Sequence, residues 1–155
     1  MSNKLQTAYE QMTGLIDQTL SQSEWFEITQ QRIDDYADVS IDHQWIHVDV
    51  ERAQKESPYG GPIAHGNLML ALMGHIPMAI QAPKVEGQKL GINYGFDRIR
   101  FPAPVHAGTR IRETRILRRV EIKGDMLETM MEVVIEAEDT EKPVCVAERI
   151  GRIVF

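Results

Sequence analysis

The sequence predicts an α+β chain in which antiparallel strands curve around one buried helix. Three observations carry this reading. Residues 3–56 show helical spacing and helix-capping residues, residues 64–80 are almost wholly apolar, and from residue 90 the apolar spacing changes to two. A helix that is apolar on nearly every side must be covered on nearly every side. A curved sheet is the economical cover. The 155 residues are most simply one domain, 1–155, long enough to bury a substantial core.

The elements follow in order. Leu5, Ala8, Tyr9, Met12, Leu15, Ile16 and Leu20 recur three or four apart, so an N-terminal helix is expected over about 3–20, weakened only at Gly14. Glu24 to Ile28 reads as a short strand. Thr29 can cap a second helix that buries Ile33, Tyr36 and Ala37 and ends near Asp38 to Ser40. Asp49 has the place of an N-cap for a short helix through Lys55, and Ser57 to Pro62 is a loop. The buried central helix is expected over about 65–80, with Pro77 disturbing its last turns.

Beyond Pro83 the texture is that of strands. Leu90, Ile92, Tyr94 and Phe96 alternate, then the parity flips to Ile99 and Phe101, which predicts a bulge past Asp97. Pro102-Ala103-Pro104 breaks the run. A strand over Thr109 to Ile122 carries a second slip between Ile111 and Ile116, and Lys123-Gly124-Asp125 is a hairpin turn. Leu127, Thr129, Met131, Val133, Ile135 and Ala137 alternate with polar residues, and a last strand runs from Val144 to Phe155.

Composition narrows the function classes. A net charge of −6 disfavours nucleic acid or an anionic membrane as a partner. Seven of the eleven arginines nevertheless fall between Arg98 and Arg119, which fits either a solvated sheet face with paired charges or a local phosphate-binding surface. The single Cys145 lies among apolar residues, as a packing thiol does. The first residues lack the basic-then-apolar pattern of a signal peptide, and no apolar run approaches the roughly eighteen residues of a membrane span. A cytoplasmic protein is expected.

Chemistry concentrates between residues 42 and 66. Asp42 and His47 are five apart in an expected loop or strand lead-in, where two side chains can converge on one small volume. An imidazole beside a carboxylate suits proton transfer to and from water or a carbon acid. A turn-forming aspartate and a surface histidine are the plain alternative. His43 and His47, with Asp42, Asp49 and His65 near, raise the question of a metal, but no cysteine pair or second histidine cluster accompanies them, and no metal or cofactor is assigned. His65-Gly66 opens the apolar helix, where backbone N–H groups lack partners and glycine permits a close approach by a ligand oxygen. His75 reads as an interior or interface histidine, and Met69, Met73 and Met78 as core.

These residues carry a resemblance. Tyr36, Asp42-x4-His47 and Gly60-Gly61-Pro62-Ile63-Ala64-His65-Gly66 resemble the MaoC-like dehydratase family, and Asp42-His43-Gln44-Trp45-Ile46-His47-Val48-Asp49 is similar to its nodulation protein N-like branch. Phe101-Pro102-Ala103-Pro104-Val105-His106-Ala107-Gly108 resembles a proline-containing segment of the same family. The resemblance implies a hot-dog fold, (R)-specific hydration of trans-2-enoyl-CoA thioesters and a homodimer. It places Asp42 and His47 as the catalytic pair and Gly66 as the amide that binds the thioester oxygen. The (R)-hydratase pattern Gly-Asp-x-Asn-Pro-Leu/Ile/Val-His runs here Ile41-Asp42-His43-Gln44-Trp45-Ile46-His47, with the Asp–His spacing kept and Gln44 and Trp45 altering the pocket wall.

The expected function is therefore an enoyl-CoA hydratase with Asp42 and His47 catalytic and with Gly66, Gln44, Trp45, Tyr59, Gly60 and His65 around an acyl-CoA thioester. Two alternatives stand beside it. One is a hot-dog thioesterase, which commonly needs an acid on the central helix that residues 66–80 lack. The other is a non-catalytic acyl-CoA-binding subunit, motivated by Ile41, Gln44 and Trp45.

Overall fold

The computed structural model describes residues 3–155. The elements are α1 (Asn3–Thr13), β1 (Thr19–Ser23), β2 (Phe26–Glu27), α2 (Gln30–Ser40), α3 (Trp45–Val48), α4 (Val50–Glu56), α5 (Gly66–Leu72), β3 (Met78–Ile80), β4 (Leu90–Arg100), β5 (Arg110–Lys123), β6 (Met126–Ala137) and β7 (Cys145–Val154). The strands join one sheet in the order β3-β1-β5-β6-β7-β4, with β2 also paired to β5, and the pairs are antiparallel.

One face of this sheet holds both central packing clusters, because strand side chains alternate. On β6, Leu127 points into a cluster with Leu5, Ala8 and Met12 of α1, whereas Val133, Ile135 and Ala137 join Leu68 and Met69 of α5. Thr129 and Met131 have the same parity and lie between the two clusters. That seam carries charge as well: Glu113 and Arg115 on β5 and Arg149 on β7 occur there, with Glu113 fully buried. The opposite face bears the cross-strand ion pairs Arg112–Glu136 (2.7 Å) and Arg152–Glu128 (2.8 Å), and Arg110 reaches Glu138 at 2.6 Å.

Local rules placed several elements correctly. Thr29 caps α2 by accepting from the Arg32 N–H, and Asp49 caps α4 by accepting from the Arg52 N–H. Lys123 and Met126 pair across a two-residue turn in which Gly124 has φ +64°. The register of β4 shifts at Asn93/Gly95 and again at Phe96/Arg98, close to the expected bulge. The slip in β5 lies later than expected, between Leu117 and Arg119.

Other expectations need correction. The N-terminal helix stops at Thr13 rather than near 20: Gly14 follows, Asp17 has φ +66° and gives its N–H to the Leu117 carbonyl, and Thr19 already belongs to β1. The strand expected over Glu24 to Ile28 is only the two-residue β2. The central helix is shorter too. It covers Gly66–Leu72, not 65–80, because Gly74 at φ +91° turns the chain, and Met78–Ile80 becomes β3. Its burial is one-sided. Leu68 and Met69 are buried, but Asn67 and Ala71 are exposed, as is His75 beyond it, so His75 is not an interior histidine.

Candidate active site

Asp42 stands just past the C-terminus of α2, and the backbone there is unusual. Ile41, the C-cap, has φ +60° and ψ 23°, a left-handed conformation in which a β-branched residue is strained. The turn is held by the Asp42 N–H donating to the Ala37 carbonyl at 3.1 Å. It is the position at which the (R)-hydratase pattern has glycine.

His47 sits on α3, a single helical turn where the sequence pointed to a loop or strand lead-in. The β-branched Ile46 and Val48 disfavour helix locally, so tertiary bonds hold the turn. Gln30 Nε2 donates to the His47 carbonyl at 2.8 Å, and the Ile63 N–H donates to the Ile46 carbonyl at 3.1 Å. The imidazole is buried at 7% exposure. Its Nδ1 is 2.6 Å from the Ile63 carbonyl. A carbonyl only accepts, so Nδ1 carries the proton and Nε2 keeps a free lone pair. Burial pushes the His47 pKa below its ordinary value, and neighbouring His65 pushes the same way against the Ile63 carbonyl and Asp42. The ring is thus neutral near pH 7 and able to take a proton.

His65, the N-cap of α5, ties the two together. Its ring stacks on His47 with centroids 3.7 Å apart, and the Tyr36 ring lies 5.0 Å from it, tilted by 58°. His65 Nε2 donates to the Asp42 carbonyl at 2.9 Å and lies 4.0 Å from the Asp42 carboxylate. Asp42, His47 and His65 each bring one potential ligand atom within 4.8 Å of the others. His47 Nδ1 and His65 Nε2 are committed as donors to carbonyls, which leaves His47 Nε2, His65 Nδ1 and the Asp42 carboxylate as the groups open to a proton or a ligand.

Beside this cluster lies a cavity of about 260 Å³ whose lining includes Tyr59, His65, Gly66, Met69, Phe101 and Val105. Two segments form it and are sewn together: the Ala64 N–H donates to the Val105 carbonyl at 2.7 Å, and His106 Nε2 donates to the Tyr59 carbonyl at 3.0 Å. Gly66 opens α5, so its N–H has no partner within the helix. A Cβ at Gly66 would stand 3.1 Å from the Phe101 ring, which explains the glycine there.

The remaining predicted residues fall differently. Gly60 forms the loop turn at φ +76° and does not line the cavity. Gln44 is exposed at the start of α3, and Trp45 lies under the Arg52 guanidinium, 4.3 Å from the ring centroid; neither side chain reaches the cavity. His43 is paired at the surface with Asp38 at 2.8 Å. Sequence reasoning passed over Met69 and Phe101 as lining residues, although the Phe101-Pro102-Ala103-Pro104 segment was the available signal. Cys145 is a buried packing thiol whose pKa is pushed up to about 12 by burial.

Comparison with known proteins gives this arrangement a family. Residues 11–142 match the family described as MaoC like domain. Nodulation protein N of Rhizobium leguminosarum bv. viciae is 44% identical over 141 residues, covering 90% of this chain and 87% of that protein. 3-Hydroxyacyl-thioester dehydratase Z of Mycobacterium tuberculosis (strain ATCC 25618 / H37Rv) is 46% identical over 136 residues, covering 87% and 88%. A MaoC-like dehydratase structure from Rhodospirillum rubrum superposes with a TM-score of 0.72 at 17% identity over 90% of this chain and 92% of that one, which shows the same hot-dog fold. The chain belongs to the MaoC-like dehydratase family.

Proposed function

We propose that the protein is an (R)-specific enoyl-CoA hydratase, working reversibly as a 3-hydroxyacyl-CoA dehydratase, with Asp42 and His47 as its catalytic pair. The observation that carries this reading is the fixed tautomer of His47: Nδ1–H held by Ile63 leaves Nε2 as a neutral base in a ring with one nitrogen within 4.8 Å of a carboxylate oxygen of Asp42. A water held between Asp42 and Nε2 gives its proton to Nε2 as its oxygen bonds to Cβ of the enoyl thioester. The negative charge that moves to the thioester oxygen is met by the Gly66 N–H. His47 then returns the proton to Cα. One water is consumed, with its hydroxyl on Cβ and its proton on Cα.

The Gly66 amide acts as a single hydrogen-bond donor, since α5 spans seven residues and contributes a limited dipole. Tyr59 and Phe101 form the mouth, and Met69 limits the depth for the acyl chain. The thioesterase alternative lacks support, because no acid occurs in α5.

The assembly we propose is a homodimer. β4 is an edge strand of the sheet, and it exposes Leu90, Ile92 and Tyr94 to 49%, 41% and 55%. An unpaired edge with such residues is suited to pairing with a second copy. A cytoplasmic location fits the lone buried Cys145; no described helix is long and apolar enough to cross a membrane.

The decisive experiment is a panel of trans-2-enoyl-CoA thioesters of increasing chain length, followed by loss of the conjugated thioester absorbance, with free thiol titrated in parallel. Hydration without thiol release is expected. Thiol release would indicate a thioesterase, and tight binding without turnover would indicate a binding subunit.

A further inference from the structure

A second cavity, of about 300 Å³, lies on the same face of the sheet at the seam between the α1 and α5 clusters, and it shares no lining residue with the first. Its floor carries Arg115, Arg149 and Arg152, with Asn93, Gln88 and Thr129 beside them, while Met12, Leu20, Val85, Met131 and Ile153 are among its apolar walls. Two of these guanidinium groups, those of Arg115 and Arg149, belong to the cavity's face of the sheet, whereas the Arg152 guanidinium turns to the opposite face.

Their counterions do not balance. Arg152 is paired with Glu128 at 2.8 Å on the outer face. Arg115 Nε is bonded to the fully buried Glu113, whose other oxygen accepts the Gly74 N–H at 2.8 Å. Among the described residues Arg149 has no carboxylate of its own, and its side-chain hydrogen bond runs to Asn93 Oδ1 at 3.2 Å. Burial and the like charge of Arg115 both act against the charge on Arg149. Arg115 Nη2 is itself buried and finds no acceptor among the described residues. The two cations are also close together: a Cβ at Gly74 would lie 3.0 Å from Arg115 Nη2 and 3.0 Å from Arg149 Nη1.

An unpaired charge and an unsatisfied guanidinium N–H in a partly buried place both favour an anion. One guanidinium in excess matches a single negative charge. The apolar walls match a short hydrocarbon body, and the volume is at the lower end for small-molecule sites. A planar carboxylate suits guanidinium forks held side by side.

We propose that this cavity is a second ligand site, distinct from the catalytic one, that takes a short amphiphilic monocarboxylate with its carboxylate on Arg115 and Arg149 and its chain against Met12, Val85 and Met131. It rests on the charge arrangement alone and stands whether or not the hydratase reading does.

The test is calorimetric titration of octanoate into the full-length protein, with octanol and inorganic phosphate as comparison probes. Octanoate should bind and octanol should not. In Arg149→Met the octanoate affinity should fall roughly tenfold to a hundredfold, as expected for losing a hydrogen bond to a charged group. Arg110→Met, at a paired outer-face arginine, should leave it unchanged. Should Arg149→Met fold poorly, Arg149→Lys keeps the charge without the fork and should still weaken octanoate. Unchanged affinity in the Arg149 variants would overturn the proposal, as would the absence of octanoate binding. Phosphate binding in place of octanoate would make this an inorganic anion site instead. A dimer that binds neither probe and dissociates in Arg149→Met would show that a second copy supplies the counter-charge, which also overturns it.

Discussion

The two ends of α5 make opposite uses of buried polar groups. At its N-terminal end His47 and His65 are stacked, buried and each tied by one ring nitrogen to a backbone carbonyl, so the rings are held in place and His47 is neutral. Just past its C-terminal end, Arg115 and Arg149 crowd around Gly74 with one buried carboxylate between them. The first arrangement prepares a base whose proton affinity is set by its surroundings. The second holds fixed charges that no pH near neutrality removes. Proton traffic belongs at the first end and charge binding at the second, and each prediction below tests that division.

The largest effect is expected at the proton-transfer end. Asp42→Ala should lower kcat/KM for crotonyl-CoA by about 10²–10⁴, because the water that His47 deprotonates loses the carboxylate that holds it. Asp42 is more than half exposed, so the thermal midpoint should hardly move. The opposite pattern is expected at the arginine end. Glu113→Ala leaves two guanidinium groups without their shared carboxylate and should cost about 3–5 kcal/mol of stability in urea unfolding. A small loss there would mean that Glu113 is not what balances the pair.

Gly66→Ala is the intermediate case. The added methyl meets the Phe101 ring at 3.1 Å and shifts the amide from its place, so a loss of about 10² in kcat is expected with stability largely kept. The variant Gly66→Ala/Phe101→Ala should recover part of that loss. No recovery would put the cause elsewhere.

How much of this was legible beforehand depends on whether the controlling interaction is local. Thr29 and Asp49 act through N–H groups three residues away, and both caps were readable. The end of α5 was not, because Met73, Ile76 and Met78 continue the apolar run while the chain turns at Gly74 to satisfy Glu113, 39 residues on. His65 was expected beside the substrate, but nothing in the spacing shows that it stacks on His47 and holds the Asp42 carbonyl. The arginine excess between 98 and 119 was visible, yet most of it is paired with carboxylates; Arg149, which has no carboxylate partner among the described residues, lies outside that window. The helical turn at Trp45–Val48 was hidden for the same reason as α5's end, being held by Gln30 and Ile63.

Two smaller effects sharpen the comparison. Because the pKa of His47 is depressed in the folded protein, the unfolded chain binds more protons just below pH 6.5. The stability contributed by neutral His47 is therefore complete above pH 6.5 and is lost as pH falls from there through the folded pKa. The acid limb of kcat/KM should likewise have its midpoint below 6.5. A limb at or above 6.5 would contradict a desolvated His47. The smallest change expected is at Ile41, which is exposed and left-handed: Ile41→Gly should stabilise the protein by about 1 kcal/mol with turnover retained.

The measurement that tests the central claim most directly is the turnover of His47→Gln on crotonyl-CoA at saturating substrate. Glutamine can keep a hydrogen bond to the Ile63 carbonyl but has no basic nitrogen. The account predicts a fall in kcat of about 10²–10⁴ with binding and thermal midpoint close to wild type. Wild-type kcat in a folded His47→Gln variant would contradict it.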